Sequence, residues 1–189
     1  MTPVPHPVPN RQLSSLTGSA NWFEDFPPGR RLRHARSATI GEFENQYISK
    51  QVMNTAEAHW NEEIMRGSVL GNGQLVFGLI TASITLGLAS QDTGENGLGE
   101  LGLDHVRFLS PVHHGDTITG YTEVLSAADA PDRPDAGVVR FKHWGLNQSK
   151  TVVCEFERTT LIKRRSHWAA DDASSRTHTP IGNQPLEAG

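Results

Sequence analysis

The stretch NTAEAHWNEE, Asn54–Glu63, contains the residues of this chain best suited by type and spacing to move protons: an asparagine and, five positions on, a histidine. An imidazole titrates near neutrality, so His59 can take a proton from water and hand it on within one turnover. Asn54 cannot act as a base, because an amide does not accept a proton in this range, but it can orient a water or a substrate by hydrogen bonds. A lone histidine in a polar stretch is otherwise an ordinary surface residue, and these positions alone leave both readings open. Glu57, Glu62 and Glu63 offer nearby carboxylates, although glutamates at this density more often form a solvated helix face.

The chain that must position these groups has 189 residues, the length of one domain with a single core. Its net charge of -4 argues against a nucleic-acid partner, which calls for a basic face. Cys154 is the only cysteine, which excludes an intramolecular disulfide framework and a cysteine zinc site; within TVVCEFERTTLI it reads as a buried strand residue. No segment has the uninterrupted apolar length of a membrane span, and the N-terminus lacks the basic-then-apolar pattern of a signal peptide, so a cytoplasmic location is expected. Residues 1–20 and 169–189 are poor in large apolar side chains and are expected to be disordered tails around a folded part at 21–168. No internal repeat is visible.

Periodicity gives the order of elements. RLRHARSATI alternates as a first strand, and a helix follows with Thr39 as N-cap, Glu42 in capping-box position, and Phe43, Tyr47 and Ile48 on one face. A second helical piece is expected over 56–65. LVFGLITASITLGLAS is the most apolar stretch; it is too short to cross a membrane and long for a strand, so it predicts a buried central helix. Four strand-like runs follow, LDHVRFLSPV, DTITGYTEVLSA, GVVRFKHWGLNQ and KTVVCEFERTTLIKRR, with the turn-rich DAPDRPDAG between the second and third of them. Helices first and a strand meander afterwards predict an α+β domain in which a sheet is covered by a long helix.

Val106–Ile118, VRFLSPVHHGDTI, resembles the strand-turn-strand RF..PV..GDT of the MaoC-like acyl-CoA hydratases and dehydratases, and the resemblance extends over roughly residues 22–165. It implies a hot-dog fold, an antiparallel sheet wrapped around a long central helix. The openings WFEDFPPGRRLRHA and FENQYISKQVMN are similar to the divergent branch that contains mesaconyl-CoA hydratase, or β-methylmalyl-CoA dehydratase. The family segment D-x-N-P-x-H-x-D puts its histidine on His59, its catalytic aspartate on Asn54, its asparagine on Ala56, its proline on Glu57 and its last aspartate on Asn61. The family's H-G, at the start of the long helix, falls on Phe77 and Gly78.

The resemblance implies reversible addition of water to an enoyl thioester, with coenzyme A or a carrier protein as part of the substrate and no metal or redox cofactor. It casts His59, Asn54 and Gly78 as the catalytic group and Phe77, Asn61 and Arg107 as substrate-binding residues. Gly78 would offer its N–H to the thioester oxygen at a helix N-terminus; simple helix packing would equally explain a glycine there. With asparagine at position 54, His59 would serve alone as base and acid while Asn54 positions water. His113 and His114 in HHGDT read as a tight turn rather than metal ligands, and Lys163, Arg164 and Arg165 as either a phosphate contact or a solvated strand end. No G-x-S-x-G elbow, P-loop or dinucleotide fingerprint appears. The exposed edge of such a sheet predicts a homodimer. A hot-dog thioesterase and a non-catalytic acyl-thioester binding subunit are the alternative readings.

Overall fold

The alternation in RLRHARSAT becomes strand β1, Arg31–Thr39, with Leu32 and His34 turned inward. The computed structural model describes residues 21–71 and 73–175. Helix α1, Glu42–Gln51, starts later than the capping signal suggested. Thr39 remains in the strand, where pairing with Thr117 extends to the last residue and the two hydroxyls meet at 2.7 Å. Gly41 is the N-cap instead, and its N–H donates to the Glu44 carboxylate at 2.8 Å. Phe43, Tyr47 and Ile48 do share a face, with the Phe43 and Tyr47 rings stacked 5.5 Å apart, but that face is exposed. The side turned to the protein carries Asn45 and Ser49.

The helical piece expected over 56–65 is broken in two: a single 3-10 turn at Glu57–His59 and a short helix α2, Glu62–Met65. Asn61 divides them, because its side-chain oxygen caps α2 by accepting from Glu63 N at 3.2 Å and Ile64 N at 3.4 Å. The apolar stretch forms α3, Gly78–Thr93, with Ile80, Thr81, Ala82, Thr85 and Ala89 among its buried residues. Four strands follow: β2 Gly97–Phe108, β3 Thr117–Asp129, β4 Ala136–Leu146 and β5 Val152–Lys163. They join β1 in one sheet of order β1-β3-β4-β5-β2, antiparallel throughout. Strand β2 begins at Gly97, earlier than LDHVRF indicated, because the glycine-rich GLGELG pairs with β5 through repeated bulges. Helix α4, Arg165–Ser175, runs past Trp168, where the sequence closed the folded part. The tails expected at 1–20 and beyond Ser175 lie outside the described residues.

Helix α3 is seated where the sheet has almost no side chain. Gly120 on β3 pairs with Gly145 on β4, which pairs with Cys154 on β5. A Cβ at Gly145 would lie 2.6 Å from Thr85 Oγ1, and one at Gly120 would lie 3.3 Å from the Thr85 carbonyl. Thr85 Oγ1 reaches Cys154 Sγ at 3.3 Å. Cys154 is the buried strand residue expected, and burial pushes its thiol up. This close contact gives the sheet wrapped around one helix, the hot-dog arrangement.

At the C-terminal half of α3 the contact turns polar. Asp92 meets His34 Nδ1 at 2.7 Å, His34 Nε2 meets Thr122 Oγ1 at 2.7 Å, and Thr122 Oγ1 meets His143 Nδ1 at 2.7 Å. All four residues are buried. Burial, followed by the charges of Arg158 and His34, holds the His143 imidazole well below its ordinary value, and its Nε2 has no hydrogen-bond partner among the described residues. A histidine whose folded pKa lies below the unfolded value of about 6.5 favours the fold fully only above that value. Its contribution is lost as pH falls toward the folded pKa. Between about pH 7 and pH 5 the melting temperature should therefore drop by up to roughly 3–5 °C per pH unit from this group. The drop should be shallower in His143→Leu; equal slopes in the two proteins would exclude His143 as the titrating group.

Candidate active site

His59 ends the 3-10 turn, and the segment around it is tied at both ends by local hydrogen bonds. Asn54 Oδ1 accepts the Ala56 N–H at 2.9 Å, the Asn54 carbonyl accepts from Trp60 Nε1 at 3.2 Å, and Leu75 N donates to the Ala58 carbonyl at 2.9 Å. An asparagine preceding a turn forms this side-chain loop readily, so NTAEAH folds locally as its composition suggests. His59 Nδ1 lies 3.0 Å from the Leu75 carbonyl. That oxygen can only accept, so Nδ1 carries the proton and Nε2 is left as the basic nitrogen.

The chain then enters α3 through Val76 and Phe77. Val76 N donates to the Val112 carbonyl at 2.8 Å, which fixes the helix start against the loop preceding β3. The Phe77 N–H is taken by Asn45 Oδ1 at 2.9 Å. The N–H groups of Gly78 and Leu79, in the first turn, have no partner among the described residues, as helix geometry requires. They carry the positive end of the helix dipole.

Two cavities flank Phe77. One, about 450 Å³, is lined by His59, Phe77, Gly78, Thr81, Phe108 and Pro111 among others. The other, about 780 Å³, is lined by Ile48, Val52, Asn54, Phe77, Leu79 and Ser83 among others. The Phe77 ring stands 5.3 Å from that of His59. The structure thus brings His59, Gly78 and Phe77 to one cavity and places Asn54 in the lining of the other, which Phe77 shares. Asn61 is engaged in capping α2 and bonds Glu57 at 3.3 Å. Arg107 is exposed on edge strand β2, while its neighbour Phe108 reaches the cavity.

The charged and histidine-containing stretches make contacts of their own. Glu57 bonds Asn61, Glu62 bonds Gln74 at 3.3 Å and Glu63 pairs with Arg66 at 3.1 Å, so the three carboxylates make an exposed, self-paired face. His113 opens a tight turn in which its N–H bonds Asp116 at 2.9 Å and Gly115 has φ +87°. Among the described residues no group of three or more histidine, cysteine or acidic side chains could hold a metal ion. Arg164 pairs with Asp129, Arg165 with Asp25 at 2.7 Å, and Lys163 lies over the Trp168 ring at 4.9 Å, so that basic cluster is spent on internal contacts. No helix of the described residues is long and apolar enough to cross a membrane.

The residue that sequence reading passed over is Asn45. It is fully buried in α1 and touches the His59 segment, the Leu75 carbonyl and the start of α3 at once. Its one visible signal was a polar residue on the helix side opposite Phe43, Tyr47 and Ile48, a pattern indistinguishable from a solvated face.

A family model described as mesaconyl-CoA hydratase matches residues 19–173. The mesaconyl-CoA hydratase of Haloarcula marismortui is 33% identical over 159 residues, covering 79% of this chain and 44% of that protein. The β-methylmalyl-CoA dehydratase of Chloroflexus aurantiacus is 25% identical over 178 residues, covering 86% of this chain and 50% of that one. The chain spans about half the length of the curated relatives it matches. Among solved structures, a MaoC-like dehydratase from Rhodospirillum rubrum superposes with a TM-score of 0.66 at 25% identity, over 76% of this chain and 97% of that one.

Gly78 serves packing whatever its N–H does, since a Cβ there would stand 2.9 Å from the Phe108 ring. Gly78→Ala should therefore cost about 1 kcal/mol, the lower end of overpacking penalties, because the half-exposed ring can yield. Phe108→Leu should relieve that cost in the double variant. Urea denaturation of the four proteins in the cycle measures it, and strictly additive effects would show that the ring is not the obstacle.

Proposed function

The chain belongs to the mesaconyl-CoA hydratase family, and from that premise we propose that it hydrates an enoyl thioester, or dehydrates the 3-hydroxyacyl thioester in the reverse direction. The observation that carries this reading is His59, with Nδ1–H committed to Leu75, lining one cavity with Gly78 at the N-terminus of α3. The acyl group would occupy that cavity. His59 Nε2 takes a proton from water as the water oxygen bonds to the β-carbon. Negative charge moves to the thioester oxygen, where the free N–H groups of Gly78 and Leu79 and the helix dipole stabilise it. The imidazolium then returns a proton to the α-carbon, so one water is added and the histidine is restored.

The larger cavity would take the thiol arm, with Phe77 as the wall between arm and acyl group. Asn54 lines that side, and its carboxamide nitrogen has no partner among the described residues, so it would contact the arm rather than the reacting water. Arg107, exposed beside the mouth formed by Phe108 and Leu109, would meet the phosphates of a coenzyme A substrate; Asn61 would act indirectly, by holding α2. The chemistry calls on side chains and on the substrate's own thioester, with no further cofactor, and fits a cytoplasmic enzyme.

A panel of enoyl and 3-hydroxyacyl thioesters, beginning with mesaconyl-CoA, tests this directly. Loss or gain of the conjugated double bond with the thioester intact is the expected result. Release of free thiol would make the protein a thioesterase, and binding without turnover a non-catalytic subunit. His59→Ala should lower kcat by roughly 10²–10⁴ with the fold retained. Asn54→Asp should change it by less than about tenfold, since a carboxylate can accept the same Ala56 N–H. Full turnover in His59→Ala would sink the mechanism.

A homodimer joined along β2 belongs to the same proposal. This edge strand exposes Leu101 and Leu103 along with a backbone edge that is unpaired among the described residues, a surface that a second copy would cover. Sedimentation at micromolar concentration should give twice the chain mass, and Leu101→Lys with Leu103→Lys should shift it to monomer. A wild-type monomer under those conditions would refute the pairing.

A further inference from the structure

We infer that Asn45 is the positioning residue that fixes the acid/base histidine relative to the helix terminus facing the thioester, an inference that rests on the reading of His59 as the proton-transfer group. Asn45 lies on α1, in neither cavity, and is 0% exposed. Its Nδ2 donates to the His59 carbonyl at 2.8 Å and to the Leu75 carbonyl at 3.0 Å, and its Oδ1 accepts the Phe77 N–H at 2.9 Å. One carboxamide thus holds three backbone groups from two separate segments.

Each of these groups bears on the reaction. The first belongs to His59 itself. The second, the Leu75 carbonyl, is also the acceptor at 3.0 Å from His59 Nδ1, so Asn45 fixes the atom that selects the histidine tautomer. The third is the N–H immediately before Gly78; with it occupied, the free N–H groups of the helix begin at Gly78 and Leu79. His114 Nε2 stands 3.0 Å from the same Nδ2, whose two hydrogens are already matched by the two carbonyls. Asparagine suits this place through its geometry: a leucine of similar size would fill the space but leave the His59 carbonyl and the Phe77 N–H without this partner, and the Leu75 carbonyl with His59 Nδ1 alone.

The test compares Asn45→Ala, Asn45→Asp and His59→Ala on mesaconyl-CoA, or on whichever thioester of the panel turns over fastest. Asn45→Ala should lower kcat by roughly tenfold to a hundredfold through misplacement of the reacting groups, with KM nearly unchanged, because Asn45 touches no substrate. In Asn45→Asp a neutral carboxyl can still donate one bond and accept another, whereas an ionised one can only accept. The ratio of its kcat to that of the wild type, in which the His59 titration common to both cancels, should therefore be highest at acidic pH and fall as the new carboxyl ionises. In the wild type, ¹⁵N resonances of the His59 ring should report the Nδ1–H tautomer, and both Asn45 variants should relax toward a mixture. A folded Asn45→Ala with kcat within about twofold of wild type would overturn the inference. So would a pH-independent ratio of kcat between Asn45→Asp and the wild type, which decides the matter if the alanine variant does not fold, or an Nε2–H tautomer in the wild type. Full turnover in His59→Ala would instead remove the underlying reading, whereas an inactive His59→Ala beside fully active Asn45 variants would remove only the role of Asn45.

Discussion

The close approach of α3 to the sheet is the constraint from which the rest of this structure follows. The row Gly120, Gly145 and Cys154 crosses three adjacent strands, and the first two positions have no side chain to hold the helix away. Thr85 settles into that gap. Packing at this distance fixes the helix along its axis as well as across it, because a neighbouring residue would bring a larger side chain against the same spot. The axial position in turn determines where the N-terminus of α3 emerges, and the candidate active site is built around that end.

The two ends of the helix are held by different physics. At the N-terminal end, Ile80 packs with Ile40, Val76, Val112 and Ile118, and the backbone of the entry segment is bound to Asn45 and Val112. Toward the C-terminal end, Asp92 and Thr93 face buried polar partners, His34 and Arg158. Arg158 also binds Glu100 of the edge strand, with Nε 2.7 Å from the carboxylate, and hydrogen bonding to Arg158 holds that carboxyl below its usual range. A guanidinium beside the last turn complements the helix dipole. The helix is thus anchored by polar contacts at one end while the N–H groups at the other remain available.

The site itself is assembled from backbone groups more than from converging side chains. His59 is oriented by the carbonyl of Leu75, and the helix terminus is set by Val112 and Asn45. Backbone acceptors keep their protonation state at any pH an enzyme meets, so they hold a histidine tautomer without adding a titrating neighbour. His59 and Asn54 line different cavities, with Phe77 common to both, although they are only five residues apart in sequence. The pair that the family resemblance casts as catalytic becomes one candidate proton-transfer group and one group lining a different cavity.

The sequence by itself determined the order of the strands and of the helices α1 and α3. The strand alternations around Val139, Phe141 and His143, the long apolar run of α3 and the GDT turn all carry local signals, periodicity or glycine geometry, that do not depend on distant residues. It also singled out His59 and Gly78 as candidates, because a motif preserves spacing along the chain. Tertiary structure alone decided which faces and partners those elements use. Thr39 looked like a cap but was claimed by pairing with Thr117. The apolar face of α1 is exposed while Asn45 is buried, and Arg164 and Arg165 are neutralised by Asp129 and Asp25 from far along the chain. Each of these outcomes depends on groups more than ten residues away. Local propensity fixes what a segment becomes, but burial and hydrogen bonding are settled only when remote segments compete for the same donor, acceptor or apolar surface.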